Sequence, residues 1–283
     1  MPASGSRQTI SSIEDFIWSN AVTSQRIQGL KTVKKALDIL DQFSETRPVL
    51  GITELSKATG INKSIVYKIL QTLMEGELIA QDSETRRYRL GSGIVNLAGR
   101  HLANLRPLDI ARPHLLRLWE ETGETIHFVV QENHSIMITQ VYESSQSLRV
   151  SSHLGEIGSL HGSAAGKVFL AFGNQTLLET YLENGLEALT LKTITDTENL
   201  RTELQKIRRR GYSASNEEQE IDFCAIAAPI FDTAGNMPGA LAIAVPPSRF
   251  KSKRVGELSK ILLRSTNAIM DEFGTSVSLR SKF

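Results

Sequence analysis

A polar and cationic run in the first third of the chain carries the side chains that a DNA-reading helix needs. In Asn62-Lys63-Ser64-Ile65-Val66-Tyr67-Lys68, the apolar Ile65 and Val66 are expected to face inward, together with Ile69 one turn further on. The outward side chains then supply hydrogen-bond donors and acceptors for base edges and cations for phosphates. The predicted DNA-contacting residues of this helix are Asn62, Lys63, Ser64, Tyr67 and Lys68.

A second cationic group lies further along the chain, beside a polar turn. Arg86, Arg87 and Arg89 surround Tyr88, directly after Asp82-Ser-Glu-Thr85. Cations at the tip of a hairpin suit contact with phosphates or with the minor groove. We predict that Arg86, Arg87 and Tyr88 contact DNA. The alternative is that the same charged surface contacts a protein.

A run of small residues begins the second candidate site, at His161-Gly-Ser-Ala-Ala-Gly-Lys167. It departs from a phosphate-binding loop at two positions, because His161 stands where the first glycine belongs and Val168 where Ser or Thr belongs. It also lacks the Gly-x-Ser-x-Gly pattern of a hydrolase nucleophile. What remains is a helix start that lets a ligand approach the backbone closely, or simple tight packing.

The remaining reactive side chains give no catalytic or metal-binding pattern. Cys224 lies in an apolar run and is expected to be an inert buried thiol or part of a pocket wall. The histidines lack the spacing of a metalloprotease helix, and they are expected to be core or surface residues; they are His101, His114, His127, His134, His153 and His161. We therefore predict no catalytic residues, no metal site and no cofactor.

The segment from Arg26 to Leu90 has the pattern of a small helical domain that would position the first candidate site. A first helix is predicted from apolar residues at steps of three and four, namely Leu30, Val33, Leu37, Leu40 and Phe43. Thr53 is expected to cap a short second helix, which Gly60 ends. Asn62 or Ser64 then caps the third.

Two short strand-like runs follow, at 78–81 and 86–90. The order helix, helix, turn, helix, hairpin is that of a winged helix-turn-helix. A linker helix is predicted over 91–106, and Pro107 is expected to end it. Its apolar stripe suits either a dimer or packing on its own domain.

The second half of the chain mixes helices with strands. Strands are predicted at 125–131, 135–142, 147–153, 223–231 and 238–245, and helices at 111–121, 163–172, 176–184, 197–210 and 251–273. Interleaved helices and antiparallel hairpins indicate an α+β domain with one central sheet. The predicted organisation is a tail (1–25), a winged helix-turn-helix (26–90), a linker helix (91–106), an effector domain (107–275) and a second tail (276–283).

Composition excludes several classes of protein. The 283 residues are 40% hydrophobic and 22% charged, as in ordinary globular proteins, so the chain is long enough for about two domains. A net charge of +1 excludes a polybasic protein that holds nucleic acid by bulk charge. The lone cysteine excludes an internal disulfide. With no apolar stretch near ~20 residues and no export signal, we expect a cytoplasmic protein that does not enter a membrane.

Seven runs along residues 26–275 together resemble the IclR family of bacterial transcriptional regulators. They are Gly51-Ile-Thr-Glu-Leu-Ser56, Lys63-Ser64, Leu70-Gln-Thr-Leu73, Leu160-His-Gly-Ser-Ala-Ala-Gly-Lys167, Arg210-Gly-Tyr212, Asn216-Glu-Glu-Gln-Glu220 and Ala225-Ile-Ala-Ala-Pro-Ile-Phe-Asp232. The first and the sixth look closest to the branch that includes the 2-keto-3-deoxygluconate repressor.

The resemblance implies an architecture and two kinds of partner. It implies a winged helix-turn-helix, a linker helix and a GAF-like effector-binding domain with an antiparallel sheet. It also implies homodimers, often paired into dimers of dimers. The partners would be double-stranded operator DNA and a small effector such as an organic acid, a sugar acid or an aromatic compound.

The family's effector pocket is carried over by position, onto Ala164, Ala165, Ser215, Phe223, Ala225, Ala242 and Ala244. Members that recognise small carboxylates often place an acid, a cysteine and serines among these positions. Here most of them are alanine, and the cysteine lies one step away at Cys224, on the opposite face of a strand. The pocket is therefore expected to be more apolar and to suit an aromatic or larger effector.

We interpret the chain as a sequence-specific, effector-controlled DNA-binding regulator, and as a repressor of catabolic or transport genes rather than an activator. One rival is an enzyme built on the second domain, which would need a convergent catalytic pair that we do not find. Another is a ligand sensor whose winged helix contacts a protein. A specific DNA footprint would separate the regulator from both.

Overall fold

The computed structural model describes residues 30–44, 46–103 and 106–275, which divide into two compact units between Asn104 and Leu105. The predicted tails at 1–25 and 276–283 lie outside the described residues. Each unit encloses its own hydrophobic core.

The N-terminal unit has the predicted order of helices followed by a hairpin. Its elements are α1 (Lys31–Leu40), α2 (Ile52–Thr59), α3 (Lys63–Glu75), β1 (Ile79–Gln81), β2 (Tyr88–Leu90) and α4 (Ser92–Ala103). The two strands pair antiparallel, with Ala80 opposite Arg89. Ile39, Leu55 and Val66 bring one apolar side chain each from α1, α2 and α3 into the core. This burial fixes which face of α3 points outward.

Local hydrogen bonds explain where α2 and α3 begin and end. Gly60 ends α2 in the left-handed conformation, at φ 68°, as predicted. Asn62 caps α3, because its Oδ1 accepts the backbone N–H of Ser64 at 3.0 Å. The prediction that Thr53 caps α2 is wrong. Gly51 is the N-cap, and its N–H donates to Glu54 Oε2 at 2.6 Å.

The helix that leaves the hairpin is locked against the end of α3. The N–H of Gly91 donates to Leu78 O at 2.8 Å, and that of Gly93 donates to Glu77 O at 2.9 Å. A Cβ atom at Gly91 would lie 2.0 Å from Glu77 O, so only glycine allows this approach. These two hydrogen bonds hold the start of α4 against the residues that directly follow α3.

The predicted limits of the linker helix need correction. α4 ends at Ala103, and the next helix, α5 (Arg106–Thr122), begins almost at once. Pro107 therefore lies in the first turn of α5 instead of ending a helix. Proline is tolerated there because the first N–H groups of a helix have no intrahelical partner.

The C-terminal unit is an α+β fold around one six-stranded sheet. The elements after α5 are β3 (Thr125–Glu132), β4 (Ser135–Tyr142), β5 (Ile157–Ser159), α6 (Ala164–Phe172), α7 (Gln175–Glu183), α8 (Thr197–Arg210), β6 (Ser213–Asn216), β7 (Cys224–Ile230), β8 (Gly239–Val245), a short 3₁₀ turn and α9 (Ser252–Glu272). The strand order is β5-β4-β3-β8-β7-β6, and every pair is antiparallel.

The two faces of this sheet differ in the size of their side chains. Large residues such as Ile226, Leu241 and Ile243 pack against α5 and α9. The opposite face packs against α6, α7 and α8. Its central strands contribute small side chains, and we call this surface the alanine face; it is formed by Ala225, Ala227, Ala240, Ala242 and Ala244.

The observed strand pairing corrects two strand predictions for this unit. Residues 147–153 form no strand, since the edge of β4 is taken by β5. The short β6 was not predicted and pairs with β7. Helix α5 also begins five residues before the predicted 111. In the described part of the chain, no helix is long and apolar enough to cross a membrane.

Candidate nucleic-acid interface and effector site

The outward face of α3 is polar, as predicted. Lys63, Ser64 and Lys68 are exposed, and the side chain of Tyr67 is 50% exposed. The opposite face is buried in the core of the N-terminal unit through Val66, Ile69, Leu70 and Leu73. Ile65 departs from the expectation, because it is 38% exposed. A firmly packed helix thus presents a row of hydrogen-bonding and cationic groups to solvent.

The first turn of α3 holds two of these groups in fixed positions. Asn62 Oδ1 accepts both the backbone N–H and the hydroxyl of Ser64, at 3.0 and 2.9 Å. The cap uses only the oxygen of the Asn62 amide, so its NH₂ group is left to donate outward. The start of the helix therefore offers oriented polar groups, which is what reading base edges requires.

The hairpin tip is a tightly bonded turn. Asp82 Oδ1 accepts the N–H of Thr85 at 2.7 Å, the hydroxyl of Thr85 at 2.8 Å and the N–H of Glu84 at 3.2 Å. These bonds, those from Thr85 first, lower the pKa of the Asp82 carboxyl. Arg86 follows with φ 58° and is exposed. Its guanidinium can therefore reach a phosphate beside the hairpin.

Arg87 is turned toward α2. Its Nη2 donates to Glu54 Oε2 at 2.7 Å and to Val49 O at 3.1 Å. The same carboxylate accepts the N–H of Gly51, and this bond, followed by the one from Arg87, lowers the pKa of Glu54. The guanidinium thus fastens the hairpin to the start of α2.

The predicted DNA contact by Tyr88 does not fit the structure. Its side chain is only 1% exposed and belongs to the core of the N-terminal unit. Its backbone exchanges two hydrogen bonds with Leu50, at 2.8 and 2.9 Å. Side chains alternate between the two faces of β2, so Tyr88 points into the core and Arg89, the next residue, points outward.

The residues predicted for the effector pocket share one face of the C-terminal unit. Ala225, Ala242 and Ala244 lie on the alanine face, and Ala164 and Ala165 approach it from the first turn of α6. Phe223 is partly buried against the same cluster. Ser215 stands opposite Ala225 on β6. The structure therefore brings all seven predicted positions together.

The start of α6 is also tightly packed, which was the alternative prediction for this run. Ser163 caps the helix by accepting the N–H of Gly166 at 2.9 Å, and its hydroxyl donates to Ser159 O at 2.7 Å. A Cβ atom at Gly166 would lie 2.4 Å from Ser159 O, which explains the glycine there. Ser215 Oγ donates to Gly162 O at 2.8 Å, so this predicted pocket hydroxyl already has a partner.

A buried ion pair ties α6 to β6 and to the segment after it. Lys167 Nζ lies 2.6 Å from Glu218 Oε2 and donates to Ala214 O at 2.8 Å. Burial lowers the pKa of Lys167, and the Glu218 charge opposes that effect. Because Glu218 neutralises it, this ammonium is not a free charge for a ligand.

Sequence reasoning did not assign His127 to this face. It lies on β3 directly opposite Ala242, and its side chain is 2% exposed. Burial lowers its pKa to about 4, so the imidazole is neutral at pH 7. The alternation of Ile126, His127 and Phe128 was the available signal. Successive side chains of a strand point to opposite faces, so the histidine lies on the other face of β3 from Ile126 and Phe128.

Family models match both units. The model described as "IclR helix-turn-helix domain" matches residues 32–83. The model described as "Bacterial transcriptional regulator IclR C-terminal" matches residues 100–271. Together they cover most of both units and leave residues 84–99, which include β2 and most of α4, between the two matches.

Similar proteins give the same result over most of the chain. The HTH-type transcriptional regulator KdgR of Escherichia coli is 35% identical over 261 residues, which is 90% of this chain and 97% of that protein. The DNA-binding transcriptional repressor YiaJ of the same species is 31% identical and covers 91% and 93%. The crystal structure of the Thermotoga maritima IclR superposes with a TM-score of 0.74 at 30% identity, covering 86% and 98%.

Proposed function

The chain belongs to the IclR family of bacterial transcriptional regulators, and from this premise we propose that it represses catabolic or transport genes until a small effector releases it from DNA. It is a DNA-binding transcriptional regulator with an N-terminal helix-turn-helix unit and a C-terminal effector-binding unit. A regulator of this kind acts on operators in the bacterial cytoplasm.

The observation that carries the DNA-binding role is the exposed polar face of α3 above a buried apolar one. In our proposal Asn62, Ser64 and Tyr67 read base edges, and Lys68 orients the helix in the major groove. Lys63 contacts phosphates. These side chains differ in their donors and acceptors, so they can distinguish one base pair from another.

Arg86 and Arg87 take different parts in this proposal. Arg86 is exposed at the hairpin and contacts a phosphate or the minor groove. Arg87 holds the hairpin against Glu54 and positions Arg86 through it. Tyr88 contributes packing only.

Repression is supported by the names of similar proteins. YiaJ of Escherichia coli, 31% identical to this chain, is named a transcriptional repressor. A repressor that responds to a metabolite fits control of catabolic or transport genes, because such genes are needed only when the metabolite is present. The effector would bind the DNA-competent and DNA-incompetent states of the protein with different affinities. That difference in affinity limits how far the effector can shift the equilibrium between the two states.

Exposed apolar side chains of the N-terminal unit support a homodimer. On α1 the side chains of Val33 and Leu37 are exposed, and on α4 those of Val95 and Leu97 are exposed. Two such units could cover these surfaces mutually, since a twofold dimer uses the same patch on both copies. A dimer would present two α3 helices to two half-sites of an operator. Pairing of dimers through C-terminal units is the larger assembly that we propose.

The effector site in this proposal lies between the alanine face and the first turn of α6, at the seven positions named above. The effector would be an organic acid, a sugar acid or an aromatic compound. The small side chains favour an aromatic or larger molecule, because they leave more room over the sheet than larger residues would.

The decisive experiment is fluorescence anisotropy of the purified protein on the DNA upstream of its own gene and on neighbouring intergenic DNA. A scrambled duplex of equal length is the control, and both are measured at two salt concentrations. We expect a preference of at least ~10³-fold for one natural sequence at the higher salt. Equal and salt-sensitive binding to every duplex would contradict a sequence-specific regulator, because only the phosphate contribution would remain.

In vitro transcription from the bound promoter then tests the sign of regulation. We expect the protein to lower transcript yield. A higher yield would show an activator. A full absence of DNA binding, with ligand binding retained, would favour a sensor that contacts a protein.

A further inference from the structure

Two buried polar side chains lie at the two ends of one row across the alanine face. The row runs from Ser213 on β6 through Ala227 and Ala242 to His127 on β3, as the strand register gives it. Ser213 Oγ and His127 Nε2 are both buried and have no hydrogen-bond partner among the residues that the structure describes. Their side chains are 0% and 2% exposed.

Such groups are costly in a protein interior. A buried hydroxyl or imidazole that loses water without gaining a partner destabilises the fold, so native proteins pair nearly all of them. The neighbouring Ser215, on the same strand and face, shows the usual arrangement, because its hydroxyl donates to Gly162 O. Two exceptions at opposite ends of an alanine-floored row therefore indicate a missing partner that spans the row.

The helix that covers the alanine face begins with small residues. Helix α6 packs across β6, β7, β8 and β3. Its first residues, Ala164, Ala165 and Gly166, are buried. A molecule that separated α6 from the sheet along this row would lie on the methyl groups of Ala227 and Ala242. It would meet hydrogen-bonding groups only at its two ends.

We propose that the effector is an elongated, uncharged molecule with an apolar middle and an oxygen at each end, which hydrogen bonds with Ser213 at one end and His127 at the other. This inference rests on the proposed function, because it names the ligand class of the same effector unit. The row shares Ala242 with the seven predicted positions and adds Ser213, Ala227 and His127 to them. The row crosses four strands and therefore three inter-strand spacings of about 4.8 Å each. The backbone positions of Ser213 and His127 are thus about 14 Å apart. Allowing for the reach of the side chains, the two ligand oxygens would be roughly 10 Å apart.

The charges around the row favour a neutral ligand. The imidazole of His127 is uncharged at pH 7 and offers one ring nitrogen as a neutral donor or acceptor. The ammonium of Lys167 is already paired with Glu218. A carboxylate buried beside Ser213 or His127 would therefore gain no full countercharge, and burying an unpaired charge is strongly unfavourable.

A third unpartnered hydroxyl lies toward the His127 end. Ser152 Oγ, two residues beyond Val150, is buried and has no hydrogen-bond partner in the described part of the chain. The carbonyl of Val150 accepts the hydroxyl of Thr125, which is two residues before His127 on the same face of β3. Ser152 therefore belongs to the segment that borders this end of the row, where it offers the ligand a second hydrogen bond.

The test uses a matched pair of probes with the full-length protein. 4,4′-Dihydroxybiphenyl has the required shape and is neutral, and 4′-hydroxybiphenyl-4-carboxylate has the same frame with one charged end. We expect the neutral probe to bind the wild-type protein in calorimetry and to raise its melting temperature. Ser213→Ala and His127→Leu should each weaken this binding about tenfold. The carboxylate should bind more weakly than the neutral probe.

The ligand-free variants give a second readout that does not depend on any probe. Ser213→Ala removes a hydroxyl without a partner, so its melting temperature should equal or exceed that of the wild type. The matched control Ser215→Ala removes a bonded hydroxyl from the same strand and should melt lower. Ser213→Ala differs from the wild type by one atom, so it remains informative if His127→Leu does not fold.

Several results would overturn the inference. These are no binding of the neutral probe by the wild type, equal binding by both variants, tighter binding of the carboxylate, or a Ser213→Ala variant that melts as low as Ser215→Ala. Operator binding by the wild-type protein is measured in parallel. If the operator is bound and the probe is not, the ligand class is wrong and the regulator stands; if no operator is bound, the proposed function itself fails.

Discussion

The guanidinium of Arg87 on the hairpin lies 2.7 Å from the carboxylate of Glu54 at the start of α2. One carboxylate thereby serves two purposes, since it also accepts the N–H of Gly51. Sequence reasoning assigned Arg86 and Arg87 the same task. The structure separates them, because Arg86 is exposed and Arg87 is engaged within the unit.

The first prediction follows from this difference and concerns salt dependence. Arg86→Ala should reduce the slope of log K against log salt by about 0.9, the value for one phosphate contact. Arg87→Ala removes no phosphate contact of its own, so it should reduce the slope by clearly less than Arg86→Ala does and lower the melting temperature of the N-terminal unit slightly. Operator titrations at four salt concentrations measure both slopes. Equal slope changes in the two variants would place Arg87 on the DNA as well.

The second prediction concerns base reading by α3. Tyr67→Ala should weaken binding to the operator by roughly tenfold or more, with little effect on random DNA, because a base contact acts on one sequence only. Lys63→Ala is the matched control on the same helix and should weaken both by a similar factor. Competition binding with operator and scrambled duplexes gives the two ratios. A uniform loss for Tyr67→Ala would remove it from base reading.

The third prediction concerns acid stability of the C-terminal unit. Burial lowers the pKa of His127 from 6.5 to about 4, so the unfolded chain binds this proton first as the pH falls. His127 is therefore neutral at no cost above pH 6.5, and its contribution destabilises the fold progressively between pH 6.5 and about 4. The full shift corresponds to about 3 kcal/mol.

The measurement is urea unfolding between pH 7.5 and 4, followed by Trp119 fluorescence in a Trp18→Phe background. His127→Leu should show a flatter decline of the free energy of unfolding than its parent. His161 has a lowered pKa as well, so some decline should remain in the variant. An unchanged slope in His127→Leu would mean that this imidazole is already protonated or already solvated in the folded protein.

The fourth prediction concerns the junction of α3 and α4. Gly91→Ala should strongly destabilise the N-terminal unit, because the new methyl group would meet Glu77 O at 2.0 Å. Gly99 lies within α4, where a new methyl group would meet no described atom within 4 Å, so Gly99→Ala should stabilise by about 0.5–1 kcal/mol through helix propensity. Hydrogen exchange of the amides in α3 reports both effects. Similar protection in the two variants would contradict the lock at Gly91.

The fifth prediction concerns assembly. Val33→Glu places a charge in the exposed apolar patch of α1 and should shift the protein from dimer toward monomer. Thr46→Glu, at another exposed position of the same unit, is the control and should leave the assembly unchanged. Sedimentation equilibrium distinguishes the two. A dimer that survives Val33→Glu would have to form through another surface.

The elements that could be predicted from sequence are those whose signals are local. Helix α8 matches its predicted limits, 197–210, because its apolar residues repeat at helical spacing and Asp196 and Gly211 bound it. Asn62 likewise caps α3 through a neighbour two residues away. These contacts need no knowledge of the rest of the chain.

The elements that could not be predicted depend on a partner far away in sequence. Strand β5 has three residues and exists because β4 offers it an edge. Tyr88 is buried where its backbone pairs with Leu50, and no pattern in the sequence around residue 88 predicts this pairing. His127 stands opposite Ala242, and the two are brought together only by the register of β3 and β8. The register between two strands that are far apart in the chain cannot be predicted from a single sequence.

The unequal faces of the C-terminal sheet allow two properties of the protein to change separately in evolution. Alternate residues of one strand serve different ends: Ile226 anchors the sheet to α9, and Ala225 and Ala227 floor the opposite side. Exchanging an alanine for serine or valine would alter what fits above the sheet and leave the large-residue layer intact. Descendants of one scaffold can therefore acquire new ligand preferences without first losing the ability to fold.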